Sequence, residues 1–287
     1  MPANGAVPNS SGTAPPLLSA PAGACDAHIH VLDARFPTAD GAAVLRQATA
    51  ADYALLQRRI GTTRAGVVQP KAYGTNNDCT LDAIARLGKG ARGIAVLHPT
   101  VSDAELGRLD AGGIRGLRFS VWNPSDTVTT VEMIEPLAKR IADLGWHLQL
   151  HMSADQFVAH AALIDRLAAP IVIDHVGRLP PQTGVAHPAF AVIRRLLDRG
   201  NAWMKLSGAY LNTVSGPPTY ADASAIARAF AKAAPERMVW GSDWPHVTER
   251  NKPDDAVLFD LLADWVPGET DRRRVLVDNP AALYGFA

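Results

Sequence analysis

Eight short apolar runs alternate with longer segments of helical periodicity, and this alternation constrains the fold more than any other feature of the chain. The runs cover residues 24–31, 65–70, 93–99, 113–121, 146–152, 171–176, 202–208 and 238–244. Segments between them, such as "TADYALLQRRIG" and "VEMIEPLAKRIADLG", place apolar residues at i, i+3 and i+4. Strands that alternate with helices favour parallel pairing, and eight such units fit a closed barrel. We predict an α/β fold, a distorted single-domain (β/α)8 TIM barrel.

An open, doubly wound sheet is the alternative architecture. It would place a Gly-rich phosphate loop after an early strand, and none follows here. The segment "TLDAIARLG" has a helix N-cap at Thr80 and a terminal glycine. The segments after Asp243, "DDAVLFDLLADWV" and "RRRVLVDNPAALYGFA", predict closing helices.

The first residues differ in composition from the barrel region. They are rich in Ala, Pro, Gly and Ser and contain no charged side chain, which is typical of a mobile segment. We predict a flexible tail over residues 1–23 and one barrel domain over residues 24–287. The tail lacks the basic start and apolar core of a secretory signal, and no run of about 18 apolar residues occurs. Cys25 and Cys79 form no CxxC pair, which favours a reducing compartment, so we expect a cytoplasmic protein. Because no long apolar run occurs, we expect no membrane partner.

Charge narrows the class of partner. Twenty-eight Lys and Arg residues balance 28 Asp and Glu residues, so the formal net charge is zero. A nucleic-acid partner would require a basic surface, and we expect a small molecule instead. The sequence gives no sign of the oligomeric state.

Histidines recur where the predicted strands end. His28 and His30 are two residues apart, so both side chains leave the first strand on one face. His151 ends the fifth run, His175 lies near the end of the sixth, and Asp243 lies near the end of the eighth. An isolated HxH pair is also compatible with a polar network. Because strand ends converge at the mouth of a barrel, the full set favours an active site.

Three of these runs carry a family resemblance. "DAHIHV", "IVIDHVGR" and "MVWGSDWPH" resemble the amidohydrolase superfamily, in the TIM-barrel branch that includes 2-pyrone-4,6-dicarboxylate lactonase and sugar-lactone hydrolases. The resemblance runs from about Cys25 to the C-terminus and makes residues 24–287 an amidohydrolase-type domain. "GNAWMKLSGAY" and "APERMVWGSDWPH" are also similar to a galactarate-lactone isomerase of this branch.

The resemblance assigns roles to the clustered residues. It implies catalytic roles for His28, His30 and His175, with Asp243 as the catalytic carboxylate. Binuclear members carry a carboxylated lysine at the end of the fourth strand, where this chain has Arg118, which argues against a two-metal site. Two alternatives stay open. One divalent ion, Zn²⁺, could be bound by the set His28, His30, His151 and Asp243, or the histidines could polarise a carbonyl group without a metal.

Cationic and polar residues near the strand ends indicate the substrate. Arg118, Arg178 and Lys71 suggest an anionic ligand, because arginine binds carboxylates through paired hydrogen bonds. The predicted substrate-binding set is completed by neutral or weakly basic groups: Gln69, Thr75, Tyr210 and His246. Loop structure is the competing explanation for Gln69, Thr75 and Tyr210. His246 either orients Asp243 or contacts the substrate. Lys205 lines the barrel or pairs with an acid there.

Together these residues predict a hydrolase that opens a carboxylated lactone, of the 2-pyrone-4,6-dicarboxylate or sugar-acid type. Asp243 takes a proton from water and returns it to the leaving oxygen. Three alternatives remain. The first is lactone isomerisation, which ranks lower because the similar isomerases lack a full HxH. The second is metal-dependent decarboxylation on the same scaffold. The third is non-catalytic binding of sugar acids.

Overall fold

Eight parallel strands form one sheet in the order β1 to β8 in the computed structural model, which describes residues 6–40, 42 and 46–286. Each strand overlaps one of the eight predicted runs, although β2 begins one residue and β3 two residues before the predicted start. The strands are β1 Cys25–Ile29, β2 Arg64–Val68, β3 Ala91–Ala95, β4 Ile114–Ser120, β5 His147–His151, β6 Ile171–Ile173, β7 Ala202–Leu206 and β8 Met238–Trp240. The register shifts between β1 and β2 and between β3 and β4. The predicted (β/α)8 barrel is confirmed.

Helices connect the strands and extend beyond the last one. Within the described residues they are α1 Ala50–Ile60, α2 Asp78–Leu87, α3 Asp103–Ala111, α4 Ile134–Arg140, α5 Ala154–Ala159, α6 Ala161–Asp165, α7 Pro188–Asp198, α8 Ala221–Ala233, α9 Asp255–Trp265, α10 Glu269–Arg273 and α11 Asn279–Tyr284. None of them combines the length and apolar character needed to cross a membrane. Helix α2 begins before the N-cap predicted at Thr80, because the Asn76 side chain accepts a hydrogen bond from the Asp78 amide.

The junction between β8 and β1 closes the barrel. The Asp243 amide donates to the His28 carbonyl oxygen at 2.9 Å, and the His30 amide donates to the Trp244 carbonyl oxygen at 2.8 Å. A side chain at Gly241 would bring its Cβ within 2.8 Å of the His28 Cβ, so this approach requires glycine. Barrel closure therefore places the aspartate of "GSDWPH" beside the two histidines of "DAHIH".

Asp26 reinforces this junction from inside β1. Its carboxylate accepts hydrogen bonds from the Ser242 amide at 2.8 Å, the Ser242 hydroxyl at 2.6 Å and the His28 amide at 3.2 Å. Burial raises the pKa of Asp26 to about 7, although the Ser242 hydrogen bonds oppose that change. The carboxylate thus connects the start of the HxH strand to the loop that carries Asp243.

The interior of the barrel has an apolar end and a polar end. At the apolar end, Ala27, Val68, Ile94 and Val172 pack in one buried cluster with Tyr284 of α11. The Tyr284 hydroxyl donates to the Ala27 carbonyl oxygen at 3.3 Å. Because α11 closes this end, the opposite end, where the strands finish at their carboxyl termini, is the one that can receive a ligand.

The described part of the predicted tail, residues 6–23, runs along the outside of the barrel. The Trp244 indole N–H donates to the Pro8 carbonyl oxygen at 2.8 Å. The Arg59 side chain donates to the Ala14 carbonyl oxygen at 2.8 Å, and the Leu18 amide donates to the Asp260 carboxylate, also at 2.8 Å. Residues 1–5 of the predicted tail lie outside the described residues. The flexibility of the tail remains a prediction.

Candidate active site

Two histidines and one aspartate converge where β1 and β8 end. The Nε2 atoms of His28 and His30 lie 3.3 Å apart. Asp243 Oδ1 lies 3.5 Å from His28 Nε2 and 3.7 Å from His30 Nε2. His175, in the loop after β6, places its Nε2 4.0 Å from Asp243 Oδ2. The structure therefore brings together the four residues predicted as catalytic.

The partners of the ring nitrogens indicate where the protons lie. His30 Nδ1 is 2.8 Å from the Val68 carbonyl oxygen, which can only accept a hydrogen bond. Nδ1 of His30 therefore carries the proton, and Nε2 presents a lone pair to Asp243. His28 Nδ1 lies 3.3 Å from Asp174 Oδ1 and 3.3 Å from the Lys205 ammonium group. An acceptor and a donor thus face the same nitrogen of His28.

A buried polar layer lies beneath these histidines. Lys205 Nζ donates to Gln149 Oε1 at 2.7 Å and lies 3.7 Å from Asp174 Oδ1. Asp174 Oδ2 accepts from Gln149 Nε2 at 3.1 Å and from Arg118 Nε at 3.3 Å. Burial lowers the pKa of Lys205 to about 8. Lys205 therefore both lines the barrel and pairs with an acid, the two alternatives that its position in the sequence allowed.

Burial would raise the pKa of Asp174, but His28, Lys205 and Arg118 hold it well below its ordinary value. Neither Asp174 nor Gln149 was predicted as a site residue. The available signal was strand alternation, because Asp174 follows Val172 by two residues and so shares its inward face.

A cavity of about 550 Å³ opens above the cluster. Its lining includes cationic, aromatic and imidazole side chains and the carboxylate predicted to be catalytic: His30, Lys71, Arg118, Trp122, His151, His175, Arg178 and Asp243. The Arg178 guanidinium lies 4.3 Å from the centre of a Trp122 ring. Lys71 donates to the Asp126 backbone carbonyl oxygen and lies 3.3 Å from the Asp126 carboxylate. Three of the seven predicted substrate-binding residues thus face this space.

The other four have different surroundings. Gln69 is fully buried and donates to the Asn76 carbonyl oxygen at 2.7 Å, so it holds its own loop. Thr75 is exposed and lies outside the cavity lining among the described residues. Tyr210 and His246 lie behind Asp243, with the Tyr210 hydroxyl 2.6 Å from Asp243 Oδ2. Direct substrate contact by these four residues remains a prediction.

His151 lies next to His175 in the cavity lining. Its Nδ1 lies 2.9 Å from the Ser120 hydroxyl, and its ring centre is 5.1 Å from that of His175. Its buried Nε2 has no hydrogen-bond partner among the described residues. The groups of ligand atoms that lie within 4.8 Å of one another are His28–His30–Asp243 and His28–Asp174–His175. His151 belongs to neither group.

The backbone at this site adopts an uncommon conformation. Asp243, His246, His175 and Arg178 have φ angles of 64°, 55°, 50° and 51°. Residues with a side chain enter this left-handed region at a cost on the order of 1–3 kcal/mol each. Residues keep this conformation where surrounding contacts hold the backbone, and the hydrogen bonds of the barrel junction hold it at Asp243. The clustering of such residues is typical of functional sites.

Burial determines the charge of the imidazoles. It lowers the pKa of His30 to about 4, with Arg118 adding to the effect, and it also lowers the pKa of His28, His151 and His175. Burial would raise the pKa of Asp243, but the surrounding imidazoles and the Tyr210 hydroxyl hold it below its ordinary value. At neutral pH the site therefore combines neutral imidazoles with an ionised carboxylate.

We expect acid to destabilise the protein before most carboxylates titrate. Between pH 6.5 and about 4 the unfolded state protonates His30 while the native state does not, and the other buried histidines act in the same direction. Stability therefore falls as pH is lowered, by about 1.4 kcal/mol per pH unit for each extra proton bound on unfolding. Asp26, with its raised pKa, opposes this change. Urea titrations from pH 7 to 4.5 measure the slope.

His30→Asn provides the control, because it removes one of these imidazoles and should give a shallower slope. A free energy of unfolding that stays constant over this pH range would contradict the expectation.

Comparison with known proteins places this site in a family. The amidohydrolase family profile matches residues 25–286. The chain belongs to the amidohydrolase family. A 4-sulfomuconolactone hydrolase from Rhizobium radiobacter is 35% identical over 95% of this chain and 93% of its own length. A 2-pyrone-4,6-dicarboxylate hydrolase from Comamonas testosteroni is 33% identical over 94% of this chain and 92% of its own length.

A third amidohydrolase relative, a D-galactarolactone isomerase from Agrobacterium fabrum, is 32% identical over 96% of this chain and 94% of its own length. Among solved structures, an apo protein from Agrobacterium tumefaciens has a TM-score of 0.88 at 28% identity, over 97% of this chain and 99% of that one. The predicted family, fold and enzyme class, a hydrolase acting on lactone esters, are confirmed.

Proposed function

We propose that this amidohydrolase opens a carboxylated lactone by attack of water, with Asp243 as general base and then general acid. The observation that supports this proposal is the position of Asp243. Its carboxylate faces the HxH pair on the floor of the cavity, and Arg118, Arg178 and Lys71 line the walls. The walls also carry the acids Asp126 and Glu249. An ionised carboxylate beneath a space that offers three cations suits an ester whose substituent is an anion.

The reaction consumes one water molecule. Asp243 Oδ1 accepts a proton from water while the water oxygen attacks the ring carbonyl carbon. The tetrahedral intermediate carries negative charge on the former carbonyl oxygen. When the ring C–O bond breaks, Asp243 returns the proton to the leaving oxygen, and the product is a ring-opened acid. The low pKa of Asp243 keeps it ionised before each turnover.

Two histidine–serine pairs are placed to stabilise the intermediate. Ser120 lies 2.9 Å from His151 Nδ1, and Ser207 lies 3.0 Å from His175 Nδ1. When each hydroxyl donates to Nδ1, the imidazole keeps its proton on Nε2. That N–H group can then donate to the developing oxyanion, and Arg118 adds positive charge nearby. In this arrangement the histidines stabilise the intermediate without a metal ion, which is the metal-free alternative.

A divalent metal ion would be held by His28, His30 and Asp243. These residues fit an ion because the bare Nε2 of His30, the Nε2 of His28 and Asp243 Oδ1 lie 3.3, 3.5 and 3.7 Å from one another. An ion such as Zn²⁺ held by these residues would supply positive charge that favours deprotonation of water. Elemental analysis of the purified protein, with activity measured before and after chelation, distinguishes the two alternatives.

The charges of the cavity indicate how the substrate is held. Lys71 is paired with Asp126, and Arg118 with Asp174. Arg178 donates one hydrogen bond to the Leu211 carbonyl oxygen, at 3.4 Å, and lines the cavity without forming an ion pair among the described residues. We propose that Arg178 binds a substrate carboxylate. A probable 2-pyrone-4,6-dicarboxylic acid hydrolase from Acinetobacter baumannii, 25% identical with a TM-score of 0.80, binds citric acid, which agrees with a site for carboxylates.

Arg178→Met is expected to raise KM by ~10- to 100-fold, because a charge-assisted hydrogen bond to the substrate is lost. A contact made equally in the ground state and the transition state leaves kcat nearly unchanged. Steady-state kinetics on the best substrate measure both constants. Arg194→Met is the control, since Arg194 forms an exposed ion pair with Asp198 on α7. An unchanged KM in Arg178→Met would remove this residue from substrate binding.

The proposed reaction is tested with a panel of lactones that includes a pyrone dicarboxylate, a sulfonated muconolactone and sugar-acid lactones. NMR of the products separates the three reactions, because hydrolysis gives a ring-opened acid, isomerisation keeps a lactone and decarboxylation releases CO₂. The isomerase relative makes isomerisation the second candidate. Thermal stabilisation by these ligands without any turnover would indicate a binding protein instead.

A further inference from the structure

A chain of three hydrogen bonds leads away from Asp243 on the side opposite the HxH pair. The Tyr210 hydroxyl lies 2.6 Å from Asp243 Oδ2 and 3.0 Å from His246 Nδ1. His246 Nε2 lies 3.2 Å from the carboxylate of Asp255, the first residue of α9. His246 and Asp255 are fully buried. Tyr210, His246 and Asp255 all lie outside the cavity lining among the described residues.

The donors and acceptors give this chain a direction. The Asp243 carboxylate can only accept, so the Tyr210 hydroxyl donates its single proton there. The Tyr210 oxygen lies 3.0 Å from His246 Nδ1 and can accept a hydrogen bond from it when both ring nitrogens of His246 carry protons. Asp255 also only accepts, so His246 donates to it through Nε2–H. Tyr210 and His246 therefore each donate to a carboxylate, Tyr210 to Asp243 and His246 to Asp255.

The chain makes the two oxygens of Asp243 unequal. Oδ1 faces His28 and His30 at 3.5 and 3.7 Å, whereas Oδ2 is occupied by Tyr210. A carboxylate rotates about its last side-chain bond with a low barrier. Without the Tyr210 hydrogen bond, this rotation would exchange the two oxygens. A short hydrogen bond to Oδ2 holds Oδ1 toward the floor of the cavity.

The surroundings keep the outer end of the chain in place. The Asp255 amide donates to the Ser10 hydroxyl at 3.3 Å, so the N-terminal segment contacts this end. The Lys252 ammonium group donates to the His246 carbonyl oxygen at 2.7 Å. The His246 amide donates to the Asp243 carbonyl oxygen at 2.8 Å. These contacts fix the backbone around the three linked side chains, which lie outside the cavity lining among the described residues.

We propose that Tyr210, His246 and Asp255 are positioning residues that hold Asp243 in the orientation needed for proton transfer. The inference rests on the proposed role of Asp243 as the base. It gives Tyr210 and His246 a function other than direct contact with substrate, and it adds Asp255, which the sequence did not indicate. Its consequence is that these residues affect kcat and leave substrate binding unchanged.

Tyr210→Phe tests the first hydrogen bond. We expect kcat to fall ~10- to 100-fold, the usual loss when a supporting partner of a reactive group is removed, with KM within twofold of wild type. Tyr284→Phe is the matched control, because it removes a buried hydroxyl group at the opposite end of the barrel and should leave kcat unchanged. A raised KM with normal kcat would make Tyr210 a substrate contact and overturn the proposal.

His246→Leu and His246→Gln test the second hydrogen bond. The glutamine amide can still donate to Tyr210, so it should retain more kcat than leucine. In the Tyr210→Phe background the leucine substitution should cause little further loss of kcat, because both residues act through one contact. Losses that add fully in the double variant would overturn the proposal. If His246→Leu does not fold, as circular dichroism would show, Asp255→Asn takes its place in the same cycle.

The wild type and Asp243→Asn are assayed alongside these variants. An inactive wild type, or an active Asp243→Asn, would overturn the proposed function and this inference with it. An active wild type and an inactive Asp243→Asn, combined with a normal kcat in Tyr210→Phe, would overturn this inference alone.

Discussion

Asp243→Asn is expected to lower kcat by about 10²- to 10⁴-fold, the contribution of a positioned general base, without unfolding the protein. The amide oxygen can still accept the Tyr210 hydrogen bond that Asp243 Oδ2 accepts at 2.6 Å. The new NH₂ group can donate to the bare Nε2 of His30. Shape and hydrogen bonding are therefore kept, while the group that takes the proton from water is lost.

The measurement pairs turnover of the best lactone with a thermal melt followed by circular dichroism. Asp264→Asn is the matched control, since Asp264 forms an exposed ion pair with Arg228. Near wild-type kcat in Asp243→Asn would remove Asp243 from the mechanism. A large fall in melting temperature would show that the aspartate has a structural role as well.

Asp174→Ala is expected to lower the free energy of unfolding by about 3–5 kcal/mol, the usual effect of removing one partner of a buried ion pair. Asp174 lies 3.3 Å from Arg118 Nε and 3.7 Å from Lys205 Nζ, and both of these cations lie inside the barrel. Without the carboxylate, two buried positive charges lose the acid with which both form ion pairs among the described residues. His28 Nδ1 also loses an acceptor.

Urea denaturation of the wild type and the variant measures this loss. The exposed pair between Asp264 and Arg228 again serves as control, and Asp264→Ala should change stability by less than about 1 kcal/mol. Adding Lys205→Met to Asp174→Ala should recover part of the stability, because one unpaired charge is removed. A loss below about 1 kcal/mol in Asp174→Ala would contradict the prediction.

The barrel could be predicted from the sequence because its signal is local. Each strand is a short apolar run bounded by turn residues, and the helical segments between them have a different period. The meeting of His28, His30, His175 and Asp243 followed from the barrel itself, since the carboxyl ends of all its strands share one rim. These predictions required the order of the elements and no knowledge of individual contacts.

The roles of single side chains depend on contacts that local patterns do not encode. Gln69 follows a strand end as a ligand-binding residue would, yet its amide is used by its own loop. His246 lies three residues after Asp243 but turns away from the cavity toward Asp255, which belongs to a helix. Asp174 is adjacent to His175 in sequence, and its importance arises from Arg118 and Lys205, which other strands supply.

The hydrogen bonds that join β8 to β1 have a consequence for assembly. Asp243 binds the His28 backbone through the same junction that closes the barrel. A polypeptide in which the first seven strands are in place but the eighth is not would hold its imidazoles without their carboxylate. During refolding from urea, the return of turnover would therefore report the arrival of the last strand, and tryptophan fluorescence or circular dichroism could recover earlier.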